Sequence, residues 1–412
     1  GHQVHNYGNI ISLIKLGYKV DLVLMSQNKS KALNNVEKTK TFLPELNSLK
    51  NINVGHRHKF SLNSIKLKNL ILELSTLIFK PEKYFMSTKY EPVVEKISQL
   101  IKDNRTDIIW YEDFYVGIYD HLINRNIPAI YNLHDNQANS FKNNNFEYFK
   151  NKNNLSTLIR YLISYTRFVV LKKIEIITQK RCNVVFSGNS KDVKFYRDKG
   201  VNTVLRKIPV IGAENNFLNK RKLYLEKDII NKKFKIIHLG GLSGSFTSAS
   251  LSLFLNKYWL EIVDNLKGYE FDFHIIGGGE PNLNLLESFK KPRIIYRGYV
   301  DNLWDEFVDA HFMIVPGKIQ TGVRIRVPTS LSMMVPVIGN KISFDGMEAS
   351  DAIIIAESAL DYSNILKKYF NNLISYKYLC DNALAAYEQN YSLRAASKDI
   401  KKVVESLWNE EF

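Results

Sequence analysis

Two arginines, Arg324 and Arg326, stand in a loop between a short apolar run and a helix-like segment. The run HFMIVP (residues 311–316) is closed by Pro and Gly, which is typical of a buried parallel strand. Backbone N–H groups at the start of a helix attract anions, and guanidinium groups bind phosphate oxygens in pairs. The sequence therefore predicts a diphosphate site in this loop.

A loop rich in glycine and serine precedes another helix in the same half of the chain. The segment FKIIHLGG (residues 234–241) is a predicted strand, and Gly240, Gly241 and Ser243 lie at or after its end. Backbone N–H groups in such a loop can hold phosphate oxygens. Glycines there also serve close packing of a strand on a helix, so the pattern alone leaves both roles open.

A histidine and an aspartate follow a predicted strand in the first half of the chain. The segment IPAIYNLHDN (residues 127–136) brings His134 and Asp135 to the carboxyl end of that strand. Open α/β sheets bind ligands at this edge. A single histidine is more often structural, but this position makes His134 and Asp135 candidate catalytic residues.

Strand-like runs and helix-like runs alternate along most of the chain, which predicts an α/β fold. Its 412 residues suffice for two domains. The polar, basic stretch 214–233 is the predicted linker between them. The basic and apolar stretch 148–181 is predicted to form a long helix.

Positive charge is concentrated in the first half. The chain carries a net +16, and residues 1–215 hold 33 Lys and Arg against 18 Asp and Glu, a net +15. This asymmetry favours an anionic partner, nucleic acid or an anionic membrane, although a Lys- and Asn-rich composition would also produce it. Two distant cysteines make neither a disulfide framework nor a metal cluster, and weakly favour a reducing compartment. We find no signal peptide and no apolar window of membrane-spanning length.

The order of these motifs resembles the group-1 glycosyltransferases of the GT-B fold. In that family a strand ending in Pro leads into a basic loop, a helix and then Gly-x-Pro-Val-Val, and here Val315-Pro316, Arg324, Arg326 and Pro336-Val337-Ile338 occur in that order. The resemblance implies two Rossmann-like domains facing across a cleft. It places an acceptor-side domain at residues 1–215, a nucleotide-sugar donor domain at 216–391, and a helix crossing back to the first domain at 392–412.

The resemblance also implies roles for individual residues. His134 would contact the donor sugar, and Tyr299 would pack on the nucleobase. The donor site would be formed by Gly240, Gly241, Ser243, Arg297, Tyr299, Thr321, Gly322, Arg324, Arg326 and Thr329. The family commonly carries two Glu residues eight apart, at the positions that Thr321 and Thr329 occupy here, so both carboxylates are missing.

The start of the chain resembles the first βαβ unit of the family, with Gly17-Tyr18-Lys19-Val20 at the beginning of its second strand. The family's opening strand would lie before Gly1, so the given sequence has no counterpart of that strand. Gly1, Gln3 and His5 would then line an acceptor-side loop.

The sequence therefore predicts a glycosyltransferase that moves a sugar from a nucleotide-sugar to a glycan or lipid-linked acceptor in bacterial surface polysaccharide synthesis. Retention of configuration is implied by the family alone. We expect neither a cofactor nor a metal, no nucleic-acid partner, and a cytoplasmic protein that contacts the inner membrane face through its basic half.

Three alternatives stay open. The missing carboxylates would suit a catalytically inactive GT-B homologue that partners another transferase. Charge alone supports a nucleic-acid-binding protein, without a compact basic motif or an aromatic platform. A Rossmann oxidoreductase would need a G-x-G-x-x-G after a strand, which the sequence lacks.

Overall fold

The computed structural model describes residues 2–26, 29–54, 74–86, 89–103, 106–146, 155–228, 233–243, 245–318 and 323–409. The chain divides into two compact units. The N-terminal unit comprises Asn9–Arg206 with Ser397–Phe412, and the C-terminal unit comprises Gly1–Gly8 with Lys207–Ala396.

The strands are β1 (Asp21–Ser26), β2 (Ser48–Asn53), β3 (Ile109–Glu112), β4 (Ala129–Leu133), β5 (Val184–Ser187), β6 (Thr203–Leu205), β7 (Phe234–Leu239), β8 (Phe271–Ile276), β9 (Ile294–Gly298), β10 (Ala310–Ile314), β11 (Val337–Gly339) and β12 (Ile353–Ile355). The α-helices are α1 (His2–Lys15), α2 (Lys29–Phe42), α3 (Pro81–Phe85), α4 (Glu91–Lys102), α5 (Phe114–Gly117), α6 (Gln137–Phe146), α7 (Leu155–Lys180), α8 (Ser190–Arg197), α9 (Asn215–Leu223), α10 (Ser245–Lys257), α11 (Trp259–Asn265), α12 (Leu283–Ser288), α13 (Leu303–Phe307), α14 (Arg326–Ser332), α15 (Ala359–Phe370), α16 (Leu373–Asn390) and α17 (Leu393–Asn409).

The N-terminal unit contains a four-stranded sheet in the order β3-β4-β5-β6, and β1 pairs separately with β2. All of these pairings are parallel. Every residue of β4, AIYNL, is buried, as expected for a strand covered on both faces. Ile400, Val403 and Leu407 of α17 pack with Ile130 and Phe186 of this sheet. The unit therefore presents the carboxyl ends of β3 and β4 side by side.

The C-terminal unit contains a six-stranded parallel sheet in the order β12-β11-β10-β7-β8-β9. Its central strand β10, AHFMI, is buried throughout, which confirms the buried strand expected from HFMIVP. Because all six strands run in one direction, the loops after β7, β8, β9 and β10 leave the same edge of the sheet.

The predicted linker is instead part of the C-terminal unit. Residues 215–223 form α9, and Tyr224–Asp228 form one turn of π-helix. Phe217 and Tyr224 are buried, and the buried Arg221 donates to the carbonyl oxygens of Val308 and Met334 and to the hydroxyl of Tyr376. The pattern looked like a linker because its charges dominate its composition, whereas the few apolar residues and one arginine face the core.

The expected acceptor-side loop at the start is also wrong. Gln3 and His5 lie within helix α1, and Gly1 lies outside the described residues. The apolar residues from Ile10 to Leu16 are typical of a helix, and the resemblance to the first βαβ unit of the family implied a loop before them. None of the helices in the described ranges is both long and apolar enough to cross a membrane.

Candidate functional site

The loops after β7 and β8 pack against each other, and the residues at their closest approach are glycines. Gly240 donates its N–H to the carbonyl of Ile276 at 3.0 Å, and Leu242 donates to the carbonyl of Gly278 at 2.9 Å. A Cβ on Gly277 would lie 1.8 Å from the carbonyl oxygen of Gly240. No other residue fits at position 277 without moving the loop, so these glycines set the shape of this part of the sheet edge.

Arg326 is the first residue of α14 and extends to the same loop. Our expectation that it stands in a loop is therefore wrong by one helical turn, since the apolar helix pattern began only at SLSMM. Its Nη1 donates to the carbonyl of Leu239 at 2.9 Å, and a Cβ on Gly240 would lie 2.8 Å from Nη1. Gly240 thus leaves the space that the Arg326 guanidinium occupies.

His238 fixes the other side of that guanidinium. Its Nδ1 donates to the carbonyl of Ile314 at 3.0 Å, so Nε2 is the acceptor that faces Nη1 of Arg326 at 3.5 Å. Burial and then the charge of Arg326 lower the pKa of His238 to about 3, which keeps the imidazole neutral. A neutral acceptor therefore orients the arginine without repelling it.

A second arginine lies near the first. Arg324 donates from Nη1 to the carbonyl of Ile342 at 2.6 Å, beyond the end of β11. Burial and then the charge of Arg324 together lower the pKa of Arg326 to about 9. A bound dianion would relieve this repulsion between two held cations.

The remaining residues of the predicted donor site differ in placement. Thr321 and Gly322 lie outside the described residues, and Gly241 and Ser243 are exposed in the loop. Thr329 donates its hydroxyl to the carbonyl of Ile325 at 2.9 Å, so its proton is engaged within the helix. Its oxygen keeps the capacity to accept one further hydrogen bond.

Arg297 lies within β9 and Tyr299 directly follows it, and their side chains have different surroundings. The Tyr299 ring is exposed and lies against the backbone of Gly278, 3.3 Å from a Cβ placed there. The guanidinium of Arg297 instead contacts Glu306, at 3.0 Å from Nε and 2.7 Å from Nη2 to the same oxygen. Lys235 contacts the other oxygen of Glu306 at 3.0 Å, so Arg297 belongs to an ion-pair cluster.

A polar cleft of about 600 Å³ adjoins the glycine loop. Its lining includes Leu242 and Ser243 of the loop, Ser252 and Asn256 of α10, and Lys318 after β10. The cleft therefore offers mostly hydroxyl and amide groups, with one cation, Lys318, and one carboxylate, Glu280.

In the N-terminal unit, His134 lies against a carboxylate. Its Nε2 is 2.8 Å from Oε2 of Glu112, and its side chain is almost fully buried. Glu112 ends β3 and His134 follows the neighbouring strand β4, whose Asn132 pairs with Glu112 across the ladder. Asn132 also donates to Oε2 of Glu112 at 2.6 Å.

The second carboxylate oxygen of Glu112 also takes part in two hydrogen bonds. Its Oε1 accepts from Asn9 at 2.7 Å and from the Trp110 indole at 2.8 Å. Burial opposes ionisation of Glu112, but hydrogen bonds and charge from His134, and hydrogen bonds from Asn132 and Asn9, outweigh it and lower its pKa. Glu112 is therefore a carboxylate at neutral pH.

A buried arginine connects this network. Arg206 donates to Oδ1 of Asn9 at 2.6 Å and to Oδ1 of Asn132 at 2.8 Å. Burial lowers its pKa to about 10, against the opposing charges of Glu112 and Asp399. The two asparagines are fixed so that their amide nitrogens face Glu112.

Asp135 follows His134 directly, and the next helix begins two residues later. The backbone N–H groups of Gln137 and Ala138 donate to the two carboxylate oxygens of Glu175, at 2.9 and 3.2 Å. Glu175 is buried, and burial raises its pKa to about 7 against those hydrogen bonds. It holds the start of α6 and, through it, the loop that carries His134.

Sequence reasoning missed Glu112, Asn9, Arg206 and Glu175. The apolar run in TDIIWYED (residues 106–113) ends in acids, and the pairing of this strand with β4 was the signal that could have joined Glu112 to His134. Asn9 and Arg206 gave no such signal, because they are 197 positions apart.

Comparison with known proteins agrees with this architecture. Residues 233–368 match the family model described as glycosyl transferases group 1. No curated protein sequence gives a significant match to the chain.

Solved structures resemble nearly the whole chain. Sucrose-phosphate synthase from Thermosynechococcus elongatus is 11% identical, with a TM-score of 0.63, over 98% of this chain and 92% of its own. A glycosyltransferase from Rickettsia africae is 13% identical, with a TM-score of 0.58, over 99% and 96%. HepE from Anabaena, solved with UDP and glucose, is 11% identical, with a TM-score of 0.55, over 93% and 99%.

These likenesses confirm the GT-B fold expected from the order of the motifs. The match of residues 233–368 lies entirely within the C-terminal unit, where the glycine loop and both arginines are found. The family match therefore covers residues 233–368, and the chain as a whole has the GT-B fold.

Proposed function

We propose that the protein transfers a sugar from a nucleoside-diphosphate sugar to a glycan or lipid-linked acceptor, in bacterial surface polysaccharide synthesis. The observation that carries the donor assignment is the guanidinium of Arg326, held by Leu239 and His238 in the space beside Gly240. Arg324 adds a second positive charge. Two guanidinium groups, with Arg326 beside the glycine loop and Arg324 held at Ile342, suit the charge of a diphosphate.

The same groups suit the transfer step. The bond from the anomeric carbon to the diphosphate oxygen breaks, and the nucleoside diphosphate leaves with the bonding electrons. A new bond forms from the anomeric carbon to the acceptor oxygen, whose proton passes to the departing diphosphate oxygen. Arg324 and Arg326 would stabilise the charge that develops on the leaving diphosphate. We propose a metal-independent reaction on the strength of these two cations, and retention of configuration on the resemblance to the family.

The N-terminal unit contributes His134 to the proposed reaction. Glu112 holds its Nε2, so the imidazole keeps one orientation at the carboxyl edge of β4. In this role His134 contacts the donor sugar, and Glu112 is a positioning residue. Asp135 stays a candidate catalytic residue beside it.

The basic N-terminal half supports a further partner. A lipid-linked acceptor lies at a membrane surface, and anionic lipid attracts Lys and Arg at about 1 kcal/mol each. We propose a cytoplasmic protein that works at the inner face of the membrane.

The second candidate is an inactive homologue that acts as a partner of another transferase. Thr329, which replaces a family carboxylate, has its proton engaged by Ile325, and this favours weak ribose binding. The active enzyme is the better candidate, because the two cations and the oriented histidine are the groups that the proposed transfer uses.

A donor-consumption assay tests the proposal. Release of nucleoside diphosphate is measured from a panel of UDP-, GDP- and dTDP-sugars, with bacterial lipid extract as acceptor and UDP-glucose first, since HepE was solved with UDP and glucose. Arg326→Ala is expected to lower kcat about 10²–10³-fold. Lys290→Ala, which removes an exposed cation of the same unit, is expected to change nothing. Equal activity of the wild type and Arg326→Ala would contradict the assignment.

A further inference from the structure

Helix α7 carries a row of exposed apolar side chains. Leu158, Leu162, Tyr165 and Val169 are 54%, 55%, 50% and 46% exposed. Their spacing of four, three and four residues puts them on one face of the helix. At 1.5 Å per residue the row is about 16 Å long.

Packing of the helix does not account for this row. The opposite face already supplies the apolar contacts, since Ile163, Leu171 and Ile174 are buried. Single exposed apolar residues are ordinary on a protein surface, but a contiguous row is typical of an interaction surface.

The charges around the row have one sign. The helix contains five Lys and Arg and a single acid, Glu175, and that acid is buried. Lys172 and Lys173 are exposed and lie on either side of the row where it ends. Residues 1–215, which include the helix, carry a net +15.

We propose that this face of α7 is a docking surface for an anionic lipid bilayer. The apolar row enters the headgroup region in the plane of the membrane, and the two lysines meet lipid phosphates. This inference names the surface through which the membrane partner of the proposed function is bound, and it rests on that function for its purpose.

The same observations disfavour a second copy of the chain as the occupant. Four half-exposed side chains cover far less than the roughly 800 Å² per partner of a stable interface. Two copies would also bring two strongly basic regions together, which costs free energy. An anionic bilayer has neither drawback, because it is extended and of opposite charge.

Flotation with vesicles tests the surface. The full chain is mixed with phosphatidylcholine vesicles, with and without about one third phosphatidylglycerol. The wild type is expected to float with the anionic vesicles alone, and less so at high salt. The double variant Leu158→Ser/Leu162→Ser is expected to bind at least about tenfold more weakly.

Leu260→Ser/Leu360→Ser is the matched control, because these leucines are 55% and 56% exposed on helices of the C-terminal unit. It is expected to float like the wild type, and Lys172→Glu/Lys173→Glu is expected to lose the preference for anionic vesicles. UDP-dependent thermal stabilisation is measured on every variant, so that failure of the donor site is read separately from failure of docking.

Absence of wild-type flotation, or equal flotation of the Leu158→Ser/Leu162→Ser variant, would overturn the inference even if UDP binds. Self-association that this variant abolishes, without flotation, would overturn it in favour of a second copy.

Discussion

The carboxylate of Glu112 is hydrogen-bonded to His134 and to three of the side chains around it. It makes four hydrogen bonds of 2.6–2.8 Å, one each with His134, Asn132, Asn9 and Trp110. Its oxygens accept from different elements of the N-terminal unit, so the position of the imidazole depends on the whole network. Replacing Glu112 should therefore affect His134 without removing it.

We predict that Glu112→Gln alters the pH dependence of stability at acid pH. The folded-state pKa of Glu112 is below its ordinary value of 4.5, so its stabilisation is present above that value and lost as pH falls through the lowered pKa. Urea unfolding should show the wild type losing stability more steeply than Glu112→Gln below about pH 4.5. Parallel curves for the two proteins would contradict this account.

Individual residues were predictable where a short pattern fixes their place. His134 follows a strand in the structure as the segment 127–136 indicated, and Gly240 and Gly241 follow β7. Glu112 and Arg206 were not, because their partners are set by which strands become neighbours. Thr321 and Gly322 lie outside the described residues and stay predictions.

At the scale of elements, Glu175 couples two helices. It belongs to α7 and accepts two N–H groups at the start of α6. Its buried carboxyl has its pKa raised to about 7, in the opposite direction to Glu112.

We predict that the Glu175→Gln variant loses less stability than the wild type as the pH rises through about 7. A raised folded-state pKa stabilises fully below the unfolded value, and that contribution is lost as pH rises through about 7. At about 1.4 kcal/mol per pKa unit, the wild type should be a few kcal/mol less stable at pH 8 than at pH 4.5 from this group. Thermal unfolding against pH should show a smaller decline for Glu175→Gln; an equal decline would refute the assignment.

The close approach of the β7 and β8 loops gives a second prediction. Gly277→Ala places a Cβ against the carbonyl of Gly240, so we expect a loss of about 2–4 kcal/mol in the free energy of unfolding. Gly268→Ala is the control, since Gly268 also has a positive φ but nothing within 4 Å of a Cβ. It should lose only about 1 kcal/mol, from backbone strain. Similar losses in urea titrations of both variants would contradict a steric role for Gly277.

Elements were predicted best where apolar runs are long and uninterrupted. The stretch 148–181 contains α7, β7 lies within the predicted strand 234–241, and β10 overlaps the predicted run 311–316. Helix α9 was taken as a linker because its buried side is narrow and its exposed side is basic. The predicted helix began later than α1 does, because the first turn of α1 has no apolar pattern.

At the scale of the whole molecule, the order of motifs along the chain was the most reliable signal. Each motif alone fits several folds, but their sequence from Gly17-Tyr18-Lys19-Val20 to Pro336-Val337-Ile338 is typical of one family. The solved structures confirm the GT-B fold of that reading, and residues 233–368 match the family model of group-1 glycosyl transferases. The identity of donor, acceptor and linkage depends on a few side chains in the site, which order cannot specify.

The central claim is that the C-terminal unit binds a nucleoside diphosphate at Arg324 and Arg326. The most direct measurement is thermal unfolding of the full chain with UDP, GDP, ADP, CMP and dTDP, with and without attached sugars. At about 100 times its dissociation constant, one ligand should add roughly 2.7 kcal/mol of stability. We predict that one diphosphate raises the melting temperature of the wild type and of Lys290→Ala, and leaves Arg324→Ala unchanged. No shift with any nucleotide would contradict the donor site and favour the inactive partner of another transferase.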